Sequence, residues 1–447
     1  LLICRLALEG SITVIEGGYL MAAICLGRGR FYGWIALAGA MLVYFCGCGD
    51  LFYSFGVFMP SICADLGWTR SMVAGAYSLL VILIGLAGPL VGFSVTRFGA
   101  RKNIVLGNLV AVLGLLGLFW TAQPWHIFVF YGLLVGVGNA FGMFISATTI
   151  ANNWFIRRRS LAMSLVIASG GIGGLVIPPL IALMISSVGW RFAWLFLALI
   201  HLILAVIIPG LIIRNRPEDM GQVPDGLVGG AVPKAGSGAV PQSRVYQTPV
   251  DWETGDAMRT LALWMIIFLG AAHMFAVNAI MAHLVLYLRD VGFSLTAAAF
   301  ALGLIPGLSI IGRLGMGYLA TRFEVRYLAA ICLGGLMIAM LILMSITALP
   351  LIYLFCLLFG ISYGALIVAL PTFFGAYFGR ARYAQILGWT MPITTLVGAV
   401  GGPLAGVIHD ATGSYMMAFI IAVAFLVIGV VCALLARPPK PRFGLGG

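Results

Sequence analysis

The chain has 447 residues, of which 62% are apolar and only 9% charged. A soluble domain runs about 45–50% apolar and about 25% charged, so a soluble enzyme, a nucleic-acid binder and a disordered protein are excluded. The 25 Lys and Arg outnumber the 13 Asp and Glu to give a net charge of +12, and the placement of those cations along the chain explains it.

Residues 1–27 are apolar but interrupted by Arg5, Glu9 and Glu16. They read as an N-terminal extension, interfacial or disordered, with Met21 as an alternative start and no clear signal-peptide cleavage pattern. Beyond them the apolar residues form long continuous runs. A barrel would alternate apolar and polar residues in short strands, whereas a spanning helix needs about 20 mostly apolar residues. Runs bounded by charges or Pro/Gly turns fall at 32–60, 70–94, 102–122, 125–152, 160–187 and 191–213. A second set falls at 261–288, 295–320, 326–348, 351–376, 383–408 and 414–436. The expected fold is an all-α membrane protein with twelve transmembrane helices in two six-helix bundles, 28–213 and 260–436. Between them 214–259 is rich in Pro, Gly, Asp and Glu and reads as a cytoplasmic linker. Residues 437–447 form a cytoplasmic tail.

All but four of the Lys and Arg fall in loops and termini on one side; Arg70, Arg191 and Arg289 lie in loops on the other, and Arg313 lies within a span. Such a bias orients a multi-pass protein in a cell membrane, the inner membrane if bacterial, with both termini cytoplasmic. It explains the basic charge without nucleic acid. The Cys sit mostly inside apolar runs (Cys46, Cys48, Cys332, Cys356, Cys432) with no pairing or metal-ligand spacing, so no metal is expected.

The halves repeat. Gly92-Phe93-Ser94-Val95-Thr96-Arg97-Phe98 follows the second span and Gly317-Tyr318-Leu319-Ala320-Thr321-Arg322-Phe323 the eighth. Both read G-x-x-x-T-R-F, as parallel repeats of a two-bundle rocking transporter would. The first continues through Gly99, Arg101 and Lys102, and the whole resembles the G-x-x-x-D-R-x-G-R-R/K loop of the major facilitator superfamily, with Thr96 in the usual Asp place. Its glycine lets two helices approach. Its cations are expected to cap helix ends and to pair with acids in one state, forming a cytoplasmic latch. Trp154-Phe155-Ile156-Arg157-Arg158-Arg159-Ser160-Leu161-Ala162, followed by Gly170 and Gly171, resembles a segment of the monocarboxylate transporters and their oxalate/formate antiporter relatives. Phe31-Tyr32-Gly33-Trp34, Arg216 to Gly221, Pro224-Asp225-Gly226, the end of the seventh span from His283 to Gly292, and Gly312 to Gly317 fit the bacterial members of that group.

An ionisable group inside a span costs about 2.5–3.5 kcal/mol on insertion scales, so it marks a pathway more often than not. Arg313 and Asp50 are the two fully charged cases. The resemblance implies that Arg313 binds the substrate carboxylate, which its guanidinium fork suits. The bland alternative is an Arg that snorkels to the nearby membrane edge. Ser309 lies one turn earlier, where many animal relatives carry an Asp. Asp50 is a candidate proton carrier or resting counter-ion of Arg313, or else a hydrated or helix-bonding residue. Tyr53 follows it by one turn.

Asn139 shares a rough face with Ser146 and Thr149 in the Gly-rich fourth span. His273, Asn278 and His283 lie in the seventh span without sharing one face. Either His can couple a proton, although a hydrogen-bonded helix contact is the commoner role of a membrane His. Tyr363 stands where relatives carry an aromatic that donates to the carboxylate. The Gly/Pro-rich fifth span (Gly170, Gly171, Gly173, Gly174, Pro178, Pro179) reads as close packing and a bend.

No Walker loop or catalytic constellation is present, so the expected protein is not an enzyme, uses no cofactor and draws on gradients. The resulting expectation is a monomeric secondary transporter of a small monocarboxylate, probable substrates being lactate, pyruvate or acetate, moved with a proton by alternating access. The eleventh span lacks the Lys that the oxalate exchangers carry, which disfavours a dicarboxylate. An anion exchanger without net proton movement and a proton-coupled multidrug efflux protein are the alternatives. A membrane sensor would need a folded cytosolic domain that the polar linker does not supply.

Overall fold

A computed structural model of the chain describes residues 31–226 and 245–439. The N-terminal extension, with Arg5 and Met21, lies outside the described residues, as do residues 28–30, the middle of the linker and most of the tail.

Hydropathy dictates the elements, and the twelve spans fall within a few residues of the expected runs. The first bundle holds α1 Gly33–Leu66, α2 Arg70–Phe98, α3 Ala100–Trp120, α4 Pro124–Trp154, α5 Arg159–Val188 and α6 Trp190–Ile212. The second holds α7 Leu261–Asp290, α8 Leu295–Leu319, α9 Val325–Met344, α10 Leu349–Phe378, α11 Tyr383–Thr412 and α12 Met416–Leu435. Eleven of these are continuous. The other, α2, is bent by 54° between Leu86 and Gly88, where Pro89 has no N–H to give and Gly88 has no side chain to obstruct the turn. Outside the spans, Gly67 and Gly413 take left-handed φ of 69° and 70° to end α1 and α11, a conformation that costs a residue with Cβ dearly.

Aromatic stacking fills each core. Phe58 lies flat on Trp194 with ring centroids 3.5 Å apart and Phe55 on Tyr131 at 4.1 Å in the first bundle; Phe275 pairs with Phe425 at 4.4 Å in the second. Such pairs add about 0.5–1.5 kcal/mol beyond area burial.

The bundles meet through two equivalent crossings. The residue that would be Cβ of Gly92 in α2 would strike the Ala384 carbonyl and Gln385 Cα of α11; that of Gly317 in α8 would strike Ser164 and the Ser160 carbonyl of α5. The repeated glycine thus does the same work in both halves. Further cross-bundle bonds cluster on the face that carries the basic loops. Asn152 Nδ2 donates to Gly379 O at 3.5 Å, and Arg159 donates to Gly375 O and, at 2.9 Å, to Gln247 Oε1. Arg159 is only 3% exposed, so it is a buried staple and not a loop charge. The molecule is closed on its basic face.

The described flanks of the linker dock on that face. The Asp225 carboxylate accepts from the backbone N–H of Ile156 (3.0 Å), Arg157 (2.8 Å) and Arg158 (3.4 Å), just ahead of α5. A carboxylate on these donors gains from the helix dipole as well as from the bonds. Asp225→Ala is expected to cost about 1–2 kcal/mol and lower the apparent Tm in detergent by several degrees. Glu218→Gln, which removes the 3.0 Å pair with Arg380 across the bundles, is expected to leave Tm within about 1 °C, because an exposed pair is worth about 0–1 kcal/mol.

Candidate functional site

The site is built where α1, α5, α8 and α10 meet. In α1 the residues Gly47–Tyr53 form a π-helical turn. Two of its positions cannot carry a side chain: a Cβ on Gly47 would meet Met143 at 2.5 Å and one on Gly49 would meet the Gly173 carbonyl of α5 at 2.7 Å. A π turn frees carbonyls that lipid cannot satisfy. Here Ser54 Oγ donates to Gly49 O at 2.8 Å, Tyr131 OH donates to Leu51 O, and Asn139 Nδ2 reaches Gly47 O at 3.5 Å. Asn139 therefore supports the turn, while Ser146 and Thr149 donate to carbonyls of their own helix, Phe141 O and Ile145 O.

The turn directs side chains two ways. On one side, Cys48 and Tyr53 face Arg313, which α8 projects between the bundles. Arg313 is 4% exposed, its Nη1 donates to Ile167 O of α5 at 2.9 Å, and Nε has no partner. Gly171 leaves room for it: a Cβ there would lie 3.1 Å from Nη1. Tyr53, Tyr363, Tyr44 and Cys48 stand around the guanidinium, close enough to interact with it electrostatically. Among the described residues no Asp or Glu forms an ion pair with it. This Arg does not snorkel. It reaches inward to the other bundle.

On the other side Asp50 turns away from Arg313. Its Oδ2 lies 2.6 Å from His201 Nδ1 of α6, and His201 Nε2 lies 3.0 Å from Asn108 Oδ1 of α3. All three side chains are fully buried. The expected role of Asp50 as resting counter-ion of Arg313 is therefore corrected: its partner is a His within the same bundle. His201 does not stand out in the sequence, since a lone His in an apolar run resembles a packing residue.

The other candidates fall elsewhere. Ser309 Oγ donates at 2.6 Å to Pro306 O of its own helix, and its carbonyl packs on Gly364, so its hydroxyl is spent locally. Asn278 is exposed and donates to Met274 O at 2.9 Å. His283 Nε2 faces Gly402 O at 2.9 Å, tying α7 to α11. His273 is fully buried with both ring nitrogens unpartnered, its ring 5.9 Å from that of Tyr363. It is the one His of the seventh span next to the Arg313 cluster. Sequence reasoning missed Tyr44, which sits two turns before Asp50 and whose role depends on the π turn.

At the basic face, Arg101 Nε donates to Gly210 O at 2.9 Å near the end of α6, and Asn215 Oδ1 accepts from the Arg101 backbone N–H at 2.8 Å. Arg97 lies over Phe98 and Arg322 over Tyr318. Thr96, in the usual Asp place, donates to Gly92 O at 2.8 Å. The latch cations cap a helix end and stack on rings here. Gly99, with φ of 89°, makes the tight corner before α3. A cavity of about 420 Å³ reaches Lys102, Asn103 and Phe141 between α2, α3 and α4. It is nearly all apolar and lies away from Arg313, so buried charge and not cavity size marks the site.

The chain is similar to known transporters. The chain is 25% identical over 408 residues to monocarboxylate transporter 12 of Rattus norvegicus, covering 87% of this chain and 82% of the relative. It is 27% identical over 406 residues to monocarboxylate transporter 13 of Bos taurus (89% and 88%) and 27% identical over 414 residues to the MFS-type transporter pynF of Aspergillus niger (90% and 88%). Its fold matches the crystal structure of the transporter FucP in the outward conformation with a TM-score of 0.67, at 14% identity, covering 91% of this chain and all of the other. The family model for the Major Facilitator Superfamily matches residues 40–401 and, overlapping, 317–446. Two six-helix bundles joined by glycine crossings, closed over a buried Arg between them, and matched by that model through almost the whole chain, place this multi-pass membrane protein in the major facilitator superfamily of transporters.

Proposed function

We propose that the chain is a secondary transporter of small monocarboxylates of the lactate, pyruvate or acetate type, moving each anion with a proton by alternating access. The observation that carries this reading is Arg313. A guanidinium buried between two bundles, donating to one carbonyl beside two phenols and with no carboxylate partner among the described residues, is incomplete without an anion. One cation matches one carboxylate. Tyr53 and Tyr363 are placed to donate to that carboxylate once it displaces them from the guanidinium. Ser309, Asn278 and Asn139 do not aim at this point, and His273 borders it through Tyr363.

The relatives named as monocarboxylate transporters support the substrate class. In this reading the basic face is cytoplasmic, the termini lie on that side, and the protein works as a monomer in the cell membrane. Opening of the basic face would release the anion bound while that face is closed.

The test is a panel of labelled monocarboxylates in proteoliposomes with and without a pH gradient. Uptake of L-lactate, pyruvate or acetate that grows with an acid exterior is the expected result. Exchange that ignores the gradient would favour the anion exchanger, and indifference to the whole panel would sink the carboxylate reading.

A further inference from the structure

Asn108 fixes the protonation of His201. Its Nδ2 donates to Ile104 O at 2.7 Å and reaches Gly142 O at 3.4 Å. Both are acceptors, so the nitrogen end of the amide faces them and Oδ1 faces His201. An amide oxygen only accepts, so Nε2 of His201 carries a proton. The contact of 2.6 Å between Nδ1 and Asp50 Oδ2 then holds one more. That proton sits on Nδ1, giving an imidazolium and a carboxylate, or on Oδ2, giving two neutral groups. The net charge of the pair is zero either way. Removing this one proton leaves a neutral imidazole facing a carboxylate, a net charge of −1 wholly inside the bundle.

The groups that face this pair do not neutralise that charge. Cys46 and Cys48 flank Asp50 on α1, and Tyr131 on α4 senses it from the next element. From α3 Asn108 points at the pair, and α5 packs on Gly49 with Gly173 and Ile177. The cation that can respond is Arg313, which faces the same π turn through Cys48 and Tyr53.

We infer that the His201–Asp50 pair, oriented by Asn108, is the site of the co-transported proton, and that it is coupled to Arg313 through the π turn Gly47–Tyr53 by charge balance. This rests on the carboxylate reading above. With an anion on Arg313, the core is neutral only when the pair holds its proton. With Arg313 empty, the core is neutral only when the pair has released it. A buried net charge is costly, so the two neutral loadings rock between faces and the two charged loadings do not. One proton accompanies one carboxylate, and no acid on α8 is required.

The test uses the full chain in proteoliposomes with L-lactate as probe and a pH dye inside. The wild type is expected to take up one proton per L-lactate. Asp50→Asn removes the carboxylate, and His201→Gln leaves Asp50 buried without the imidazole that stabilises its charge, so both favour the neutral form and each is expected to lose acid-driven accumulation and still exchange labelled for unlabelled L-lactate. In detergent, ¹⁵N resonances of His201, assigned by their loss in His201→Gln, are expected to titrate in one step whose midpoint rises when L-lactate binds. That measurement stands even if Asp50→Asn fails to fold. Accumulation in both variants equal to the wild type, or a His201 signal indifferent to pH and to L-lactate, would overturn the proton site. A wild type that exchanges none of the carboxylates while His201 still titrates would overturn the carboxylate reading and leave the proton site standing.

Discussion

Arg313→Ala is expected to weaken carboxylate binding by about 30- to 1,000-fold, the equivalent of about 2–4 kcal/mol for removing a desolvated charged partner. The same substitution is expected to leave the fold as stable as before, or more so. In the empty protein Arg313 has an unpartnered Nε and, among the described residues, no carboxylate partner, so the chain bears the desolvation cost of the cation without a full return. A residue retained for stability would show the opposite pattern. Arg313→Lys keeps the charge but loses the planar fork, and is expected to bind at an intermediate level, about tenfold weaker than wild type. Tyr53→Phe and Tyr363→Phe each remove one hydroxyl and are expected to cost about 1 kcal/mol, about fivefold. Counterflow of the best substrate of the panel gives the affinities, and thermal unfolding in detergent gives the stability. Undiminished affinity in Arg313→Ala would remove Arg313 from the site.

Much of this arrangement is legible in the sequence because the bilayer is a strict solvent. Hydropathy sets the spans, the cost of a buried cation singles out Arg313, and the repeated glycine of Gly92 and Gly317 foretells two equivalent crossings. What is not legible depends on which way a side chain turns. Spacing puts Ser309 on the face of Arg313, yet its hydroxyl satisfies Pro306 O. Asp50 reads as a partner for Arg313, the cation that the sequence sets within a span. The π turn changes the angular step of α1, however, and delivers Asp50 to His201 while Tyr53 and Cys48 go to Arg313. No single-sequence rule reports a π turn in advance, because it is held by Tyr131, Asn139 and Ser54 from outside and after it. Arg159 reads as a loop cation for a similar reason: its burial requires α10 to present Gly375.

The crossing glycines lead to the second large effect. Gly92→Leu is expected to shift the protein from the state closed on its basic face toward the state open there. The added side chain would be driven into the backbone of Ala384 and Gln385 on α11, and backbone cannot step aside as a side chain can. Overpacking of this kind costs about 1–3 kcal/mol, which moves a two-state equilibrium by about 5- to 150-fold. The strain falls on one state only, since α2 and α11 belong to different bundles and separate at this level when the basic face opens. Gly317→Leu meets Ser164 and Ser160 at the matching crossing and is expected to act in the same direction. Gly312→Leu is the contrast. Its side chain would strike the Ile361 carbonyl of α10, a contact inside one bundle that both states keep, so it is expected to lower Tm without favouring either state. Spin labels at positions 218 and 380, which face each other across the closed basic rim, report the difference by pulsed dipolar distances. A longer distance should gain population in Gly92→Leu and Gly317→Leu and not in Gly312→Leu. An unchanged distribution in the first two, with reduced stability, would mean that these helices stay crossed throughout the cycle and that the bundles do not rock apart there.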